Sequence, residues 1–256
     1  MQLEQVKAVI TGGVSGLGFA VARHLVDNGA RVALLDVNED KAAEAVSALG
    51  EKSATFYRVD VTSEDDVTAV LEQARDGLGG LNVAVSCAGI LGAGRVLGRE
   101  APMALDTFSQ TVMVNLVGSF NIAKAAANLM QHNDAGDDDE RGVIINTASV
   151  AAYEGQIGQA AYSASKSGIV GMTLPMAREF TRIGVRVMTI APGVFHTPMV
   201  DVMPEKVQQA LGESIPFPKR LGKPEEFAHL AGHIVENRYL NGTTLRLDGA
   251  VRLEPK

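Results

Sequence analysis

The sequence predicts an α/β protein: a single doubly wound domain over residues 1–256, with a parallel seven-stranded sheet between helix layers. Three observations predict it. Short apolar runs of strand length alternate with helical patterns along the chain, the β-α-β rhythm that builds parallel sheets through right-handed crossovers. The first run ends in Thr11-Gly-Gly-Val-Ser-Gly-Leu-Gly18, which opens directly into a helix. No internal repeat and no linker of distinct composition divides the chain.

Residues 6–11 are short and apolar, as a strand buried on both faces must be. The glycine turn leads to a helical pattern through about Asn28, with Gly29 placed to close it. Residues 31–36 form a second strand. Helical patterns near 39–49 and 63–78 then alternate with strands near 55–59 and 82–86. An irregular stretch from Gly89 to about Pro102 precedes two helices, near 105–113 and 116–131. Strand 142–148, helix 159–182 and strand 185–191 follow, the last ended by Pro192. A helix near 224–237 and a strand near 244–247 complete the pattern. Thr11, Asp36, Asp60, Cys87, Ser149 and Pro192 all fall at the ends of strands, where doubly wound sheets bind ligands.

Composition narrows the class. A net charge of -7 gives no basic stripe and argues against a nucleic-acid partner. The single cysteine, Cys87, has no internal disulfide partner, no export signal precedes the first strand, and no apolar run reaches the length of a bilayer span. The expectation is a soluble cytoplasmic protein without membrane attachment, the mitochondrial matrix remaining open. The acidic run at 134–140 lacks metal-loop spacing and reads as a solvated loop, so no catalytic metal is expected.

Gly12, Gly16 and Gly18 lie where missing side chains allow a tight turn and bring a pyrophosphate close to backbone N–H groups at a helix N-terminus. The spacing is Gly-x-x-x-Gly-x-Gly, and a glycine turn of this kind can also be purely structural. Asp36, at the end of the second strand, strengthens the ligand reading. Its carboxylate can accept hydrogen bonds from adenosine ribose hydroxyls and repels a 2′-phosphate, which favours NAD over NADP. Ser15 and Val37 supply no cation there, although Arg31 or Lys41 could swing across. Asp60 can bind the adenine amino group or act as a turn or capping acid. Cys87, Ala88 and Gly89 are small where backbone must pass close to the cofactor, and Cys87 is read as a buried small residue rather than a nucleophile.

Ser149, Tyr162 and Lys166 carry the chemistry. In 256 residues with 4 Tyr, 9 Lys and 12 Ser, Tyr-x-x-x-Lys with a serine thirteen residues upstream arises by chance in roughly one chain in a hundred. Four residues apart on a helix, Tyr162 and Lys166 share a face, so the ammonium is expected to lower the phenol pKa. Tyr162 then exchanges a proton with a substrate alcohol as hydride moves to or from a nicotinamide, and Ser149 hydrogen-bonds the substrate oxygen.

These features together resemble the short-chain dehydrogenase/reductase family, and the resemblance spans essentially the whole chain. It implies a Rossmann-type fold and maps the family's catalytic asparagine onto Asn115 in Val112-Met-Val-Asn-Leu, where it would hold a water linking Lys166 to solvent. It also implies cofactor contacts from Leu17, Val61, Pro192, Gly193 and Thr197, besides Gly12, Ser15, Gly16, Gly18, Asp36, Asp60, Cys87, Ala88, Gly89, Tyr162 and Lys166. Ser86 departs from the family, many of whose members carry asparagine there. Longer strings, including 141–159, 167–175 and 216–222, resemble the family's type II 3-hydroxyacyl-CoA dehydrogenase subgroup, also described as type 10 17β-hydroxysteroid dehydrogenases. That implies a homotetramer oxidising 3-hydroxyacyl-CoA, or reducing 3-ketoacyl-CoA, with NAD in fatty acid metabolism. Residues around 194–220 would form a lid over substrate. Lys206, Lys219 and Arg220 are placed there to meet CoA phosphates or to be ordinary surface cations. Gln159 either lines the substrate pocket, with Ser149 and Tyr162, or serves the helix start. Three alternatives stay open: another alcohol or hydroxysteroid dehydrogenase, a 3-oxoacyl thioester reductase, and a non-catalytic NAD-binding scaffold subunit.

Overall fold

A computed structural model describes residues 1–201 and 204–255. The strands are β1 (Lys7–Thr11), β2 (Arg31–Asp36), β3 (Ala54–Arg58), β4 (Val83–Ser86), β5 (Gly142–Thr147), β6 (Val185–Pro192) and β7 (Thr244–Leu247). They form one seven-stranded parallel sheet in the order β3-β2-β1-β4-β5-β6-β7. Strand order reverses between β1 and β4, which opens a crevice at the carboxyl ends of the strands.

The helices are α1 (Gly16–Asp27), α2 (Ala42–Leu49), α3 (Glu64–Leu78), α4 (Leu105–Val112), α5 (Gly118–Met130), α6 (Ala160–Phe180), α7 (Pro198–Asp201), α8 (Glu205–Ser214) and α9 (Pro224–Glu236). Alternation along the strands sorts side chains to two cores. Ala8, Ile10, Val83, Val85, Val143 and Ile145 meet α1, α2 and α9. Val9, Ala84, Ile144 and Val187 point the other way, into α3, α5 and α6. Local chemistry fixes the helix ends. Ser63 Oγ accepts the Asp66 N–H at the start of α3, and Gly79 takes a left-handed conformation at its close. Pro224 begins α9, where its missing N–H costs nothing.

Three details differ from the sequence reading. The two helices expected at 105–113 and 116–131 run on as one, joined by a π-helical turn at Met113–Val117. Asn115, in that turn, is fully buried and tied to a neighbouring loop, so the helix widens around it instead of breaking. The proline-punctuated stretch 194–220 contains α7 and α8, because Pro198 opens the first and Pro204 sits at the N-cap of the second, positions where proline is compatible with a helix start. Residues 202 and 203 of the expected lid lie outside the described residues. Pro192 is the last residue of β6 rather than the residue beyond it.

Phe227 of α9 is wholly buried, edge-on to Phe195 with ring centroids 6.4 Å apart. It joins the α9 layer to the loop after β6. Phe227→Ala is expected to cost about 3–5 kcal/mol in urea unfolding; a loss below ~1 kcal/mol would show that the site collapses around the deletion.

Candidate active site

A cavity of about 750 Å³ lies at the carboxyl ends of the strands. The residues the sequence assigned to cofactor, substrate and chemistry border it, except Asn115 and the three cations Lys206, Lys219 and Arg220 read as possible partners of CoA phosphates.

One end is built from the glycine turn. Gly12 has φ +63°, and a Cβ there would lie 3.0 Å from the Cys87 carbonyl and the Ala88 nitrogen. A Cβ on Gly18 would lie 2.3 Å from the Gly12 oxygen, so only glycine lets α1 start so close under the turn. Thr11 Oγ1 accepts the N–H groups of Cys87 and Ala88, each at 3.1 Å, and holds the loop after β4 against the turn. Ser15 is the N-cap of α1, and Thr197 and Pro198, from the segment after β6, approach Gly16. Leu17 and Val61 add apolar wall.

Asp36 stands at the end of β2, one oxygen accepting the Asn38 N–H at 3.0 Å. Of the cations near it, Lys41 is exposed at the N-cap of α2, while Arg31 and Arg58 are engaged elsewhere. Arg31 sits at the opposite end of β2 and donates to the Leu78 and Gly77 carbonyls, each at 2.9 Å. Arg58 pairs in register with Asp36 but directs its guanidinium to Glu39 at 3.5 Å. Asp60 borders the cavity and also caps its own turn, accepting the Thr62 N–H and hydroxyl at 2.9 and 2.8 Å. Those two bonds hold its carboxyl below the ordinary range. Burial pushes the Cys87 thiol up to about 11, so it stays protonated and unreactive at neutral pH.

The chemical residues meet in the middle. Ser149 follows β5, and its Oγ accepts the Ala151 N–H at 3.1 Å, leaving the hydroxyl hydrogen to point elsewhere. It hydrogen-bonds Tyr162, on the first turn of α6. Lys166 is 5% exposed; its Nζ donates to the Thr147 carbonyl at 2.8 Å and lies 5.7 Å from the Tyr162 ring centroid. Asn115 stands behind the wall. Its Oδ1 accepts the Ile90 N–H at 2.8 Å, and its Nδ2 donates to the Ile90 carbonyl and Ser165 Oγ. A Cβ on Gly89 would fall 3.1 Å from Asn115 Oδ1 and 3.7 Å from Lys166 Nζ, so Asn115, the β4 loop and Lys166 are packed as one unit.

The electrostatics correct one expectation. Burial raises the Tyr162 pKa and the Ser149 hydrogen bond pulls against it; the lowering expected from Lys166 does not prevail. Lys166 is itself desolvated, which brings it down to about 8, and its nearest bond is to a carbonyl rather than to the phenol.

Gln159 borders the cavity and is also the N-cap of α6, its Oε1 accepting the Gln156 N–H at 3.0 Å. Of the lid cations, Arg220 is held by Glu226 through two bonds of 2.7 and 2.8 Å, while Lys206 and Lys219 are exposed. The sequence reading missed Thr147, Gln156 and Leu253 on the cavity wall, and within the expected lid it did not single out Val207 and Leu211, which also line it. Thr147 acts through its carbonyl, which no side-chain pattern reports, and the others arrive by tertiary packing. Ser86 pairs in register with Asn146, and the buried polar side-chain atoms of both have no hydrogen-bond partner in the protein. Among the described residues no group of three or more His, Cys, Asp or Glu side chains is placed to hold a metal, and no helix is long and apolar enough to cross a membrane.

Burying the Lys166 ammonium opposes folding, and the sign is testable. Its folded pKa of about 8 lies below the ordinary lysine value, so the unfolded chain binds the extra proton between the two. Lys166→Met is therefore expected to unfold at higher urea than the unaltered chain near neutral pH, by up to ~3 kcal/mol. The gap should narrow as pH rises from about 8 towards the ordinary lysine value. A gap that stays constant over that range would place the lowered pKa in error.

Comparison with known proteins gives the lineage. Residues 6–208 match the family model for short chain dehydrogenases. 3-hydroxyacyl-CoA dehydrogenase type-2 of Bos taurus is 52% identical over 97% of this chain and 95% of its own length. The protein of that name from Drosophila melanogaster is 50% identical over 97% and 98%. The crystal structure of 3-hydroxyacyl-CoA dehydrogenase type-2 from Mycobacterium avium superposes with a TM-score of 0.94 at 41% identity, covering 99% of this chain and 98% of that one. With the family model covering most of the chain and half the residues shared along nearly its full length, this oxidoreductase, whose site fits a nicotinamide cofactor, belongs to the short-chain dehydrogenase family.

Proposed function

We propose that the chain oxidises the 3-hydroxyl of 3-hydroxyacyl-CoA with NAD and reduces 3-ketoacyl-CoA in the reverse direction. The observation that carries this reading is the position of the Ser149–Tyr162 pair. It borders one cavity together with a glycine turn suited to a dinucleotide and with apolar side chains suited to an acyl chain. The names of the relatives supply the thioester.

The bound dinucleotide supplies the hydride acceptor, or donor in reverse. The protein's own groups handle the proton. Ser149 donates to the substrate oxygen and fixes it beside Tyr162, whose phenolate takes the alcohol proton during oxidation and whose phenol returns it during reduction. Lys166, held by the Thr147 carbonyl, places a cation beside the ring. Asn115 is a positioning residue: its amide fixes the Gly89–Ile90 backbone, which in turn packs against Lys166. Because burial keeps the Tyr162 phenol protonated, oxidation should gain rate as pH rises above neutral and reduction should not. Asp36 supports NAD, since a 2′-phosphate would face a carboxylate with Arg31 and Arg58 directed elsewhere.

A homotetramer fits the surface. Leu105, Phe108, Met113 and Phe120, along α4, the π turn and α5, are exposed, as is Leu174 of α6, a pattern that a subunit contact would cover. The lone, protonated Cys87 suits a reducing compartment, the cytoplasm or the mitochondrial matrix.

Two measurements test the reading. The first follows NADH formation with 3-hydroxybutanoyl-CoA, 17β-estradiol and a plain secondary alcohol. A clear preference for the thioester is expected, with Tyr162→Phe lowering kcat by ~100-fold or more. Turnover of the steroid or plain alcohol alone would replace the substrate, and silence on all three would move the chain towards a scaffold role. In the second, Asp36→Ser is expected to raise the NADP-to-NAD ratio of kcat/KM about tenfold or more; an unchanged ratio would remove Asp36 from cofactor choice.

A further inference from the structure

Besides the glycine turn and the chemical residues, the cavity is bordered by apolar side chains from the lid region and from the stretch after β7. They include Val194, Val207 and Leu211 of the lid region and, from the stretch after β7, Leu253. That stretch has no regular secondary structure, yet it is fastened on both sides of Leu253. Gln156 Nε2 donates to the Glu254 carbonyl at 2.9 Å, and the Ile157 N–H donates to the Pro255 carbonyl at 3.0 Å. On the other side Val251 is buried, and its carbonyl accepts from Arg246, whose guanidinium is clamped by Glu154 at 2.7 and 2.9 Å and by Asp248 at 2.7 Å. Leu253 is half-buried and packs with Val194 and Leu211 onto the cluster of Val200, Ile215, Leu221 and Val251. Gln156 also reaches the chemistry: its N–H donates to Gln159 Oε1 at 3.0 Å, three residues before Tyr162.

We propose that Leu253 is the end stop of the acyl-binding half of the cavity and sets the chain length of substrate accepted, with Gln156 as the bracket that holds it in place. This rests on the reading of the site as one for 3-hydroxyacyl thioesters. An apolar chain gains from every methylene it buries until it meets a wall, and a wall discriminates only if it does not recede. Leu253 is on a segment without helix or strand of its own. Its rigidity comes from the Gln156 and Ile157 bonds on one side and the Arg246 clamp on the other, both anchored outside the segment.

The test compares kcat/KM for butanoyl, hexanoyl, octanoyl and decanoyl 3-hydroxy thioesters in the unaltered chain, Leu253→Ala, Leu253→Phe and Gln156→Leu. Leu253→Ala should raise the decanoyl-to-butanoyl ratio by ~10-fold or more, since the space of about two methylenes opens. Leu253→Phe should lower the same ratio, and Gln156→Leu should flatten the length profile. Ratios within about twofold of the unaltered chain in both Leu253 variants, with far-ultraviolet circular dichroism and NADH binding retained, would overturn the end stop. A parallel series of secondary alcohols from 2-butanol to 2-decanol separates the two possible failures. If thioesters are inert and the alcohol profile still shifts with Leu253, the substrate reading falls and the end stop stands. If thioesters turn over and neither profile shifts, the end stop falls alone.

Discussion

The site depends on a buried ammonium with one backbone acceptor. Lys166 reaches back from α6 to the Thr147 carbonyl at the carboxyl end of β5, which ties the helix that carries Tyr162 to the strand that Ser149 follows. A charge in so dry a place is unfavourable for folding unless its hydrogen-bonding partners are fixed. The molecule therefore surrounds it with parts that do not yield: the last residues of a central strand, the loop after β4 held by Thr11, and the Asn115 amide bonded to that loop on two sides. Much of the polar structure at the carboxyl end of the sheet follows from keeping this one group in register.

Two walls of the cavity are built by opposite means. The wall around the glycine turn is mostly backbone: glycines that admit close approach, N–H groups at the start of α1, and strand ends held by the sheet. The wall contributed by α7, α8 and the stretch after β7 is side chain and loop, and its shape rests on a few bonds between parts distant in sequence, such as Gln156 to Glu254. The first arrangement allows little variation. The second lets one scaffold accept different alcohols by changing what lines that wall.

That division also explains what the sequence disclosed. The sheet, its parallel sense and nearly every element could be read from alternation and turn chemistry, because β-α-β units are locally coded. The glycine turn and the Ser149, Tyr162 and Lys166 positions around one cavity were legible for the same reason: each sits at a strand end or at fixed spacing on a helix. The direction of the Tyr162 pKa was not, because spacing reports that Lys166 is near and says nothing of how much water has been excluded from both. Leu253 and Gln156 carried no local signal, since their importance comes from contacts nearly a hundred positions apart. The helices of the lid were hidden by prolines that here begin helices rather than end them.

The π turn at Met113–Val117 has a consequence for how this family's chains can change length. One more residue is wound into that turn than an α-helix would use, and the widened turn absorbs it, so the sequence pattern shifts by one position while both flanks keep their faces. Removing a single residue there would let the helix close into a regular spiral with α4 and α5 still facing their neighbours, and what would be lost is the widened turn from which Asn115 reaches Ile90 and Ser165. The connection between these two helices is thus a place where one residue of length serves the position of one side chain rather than the surface of either helix.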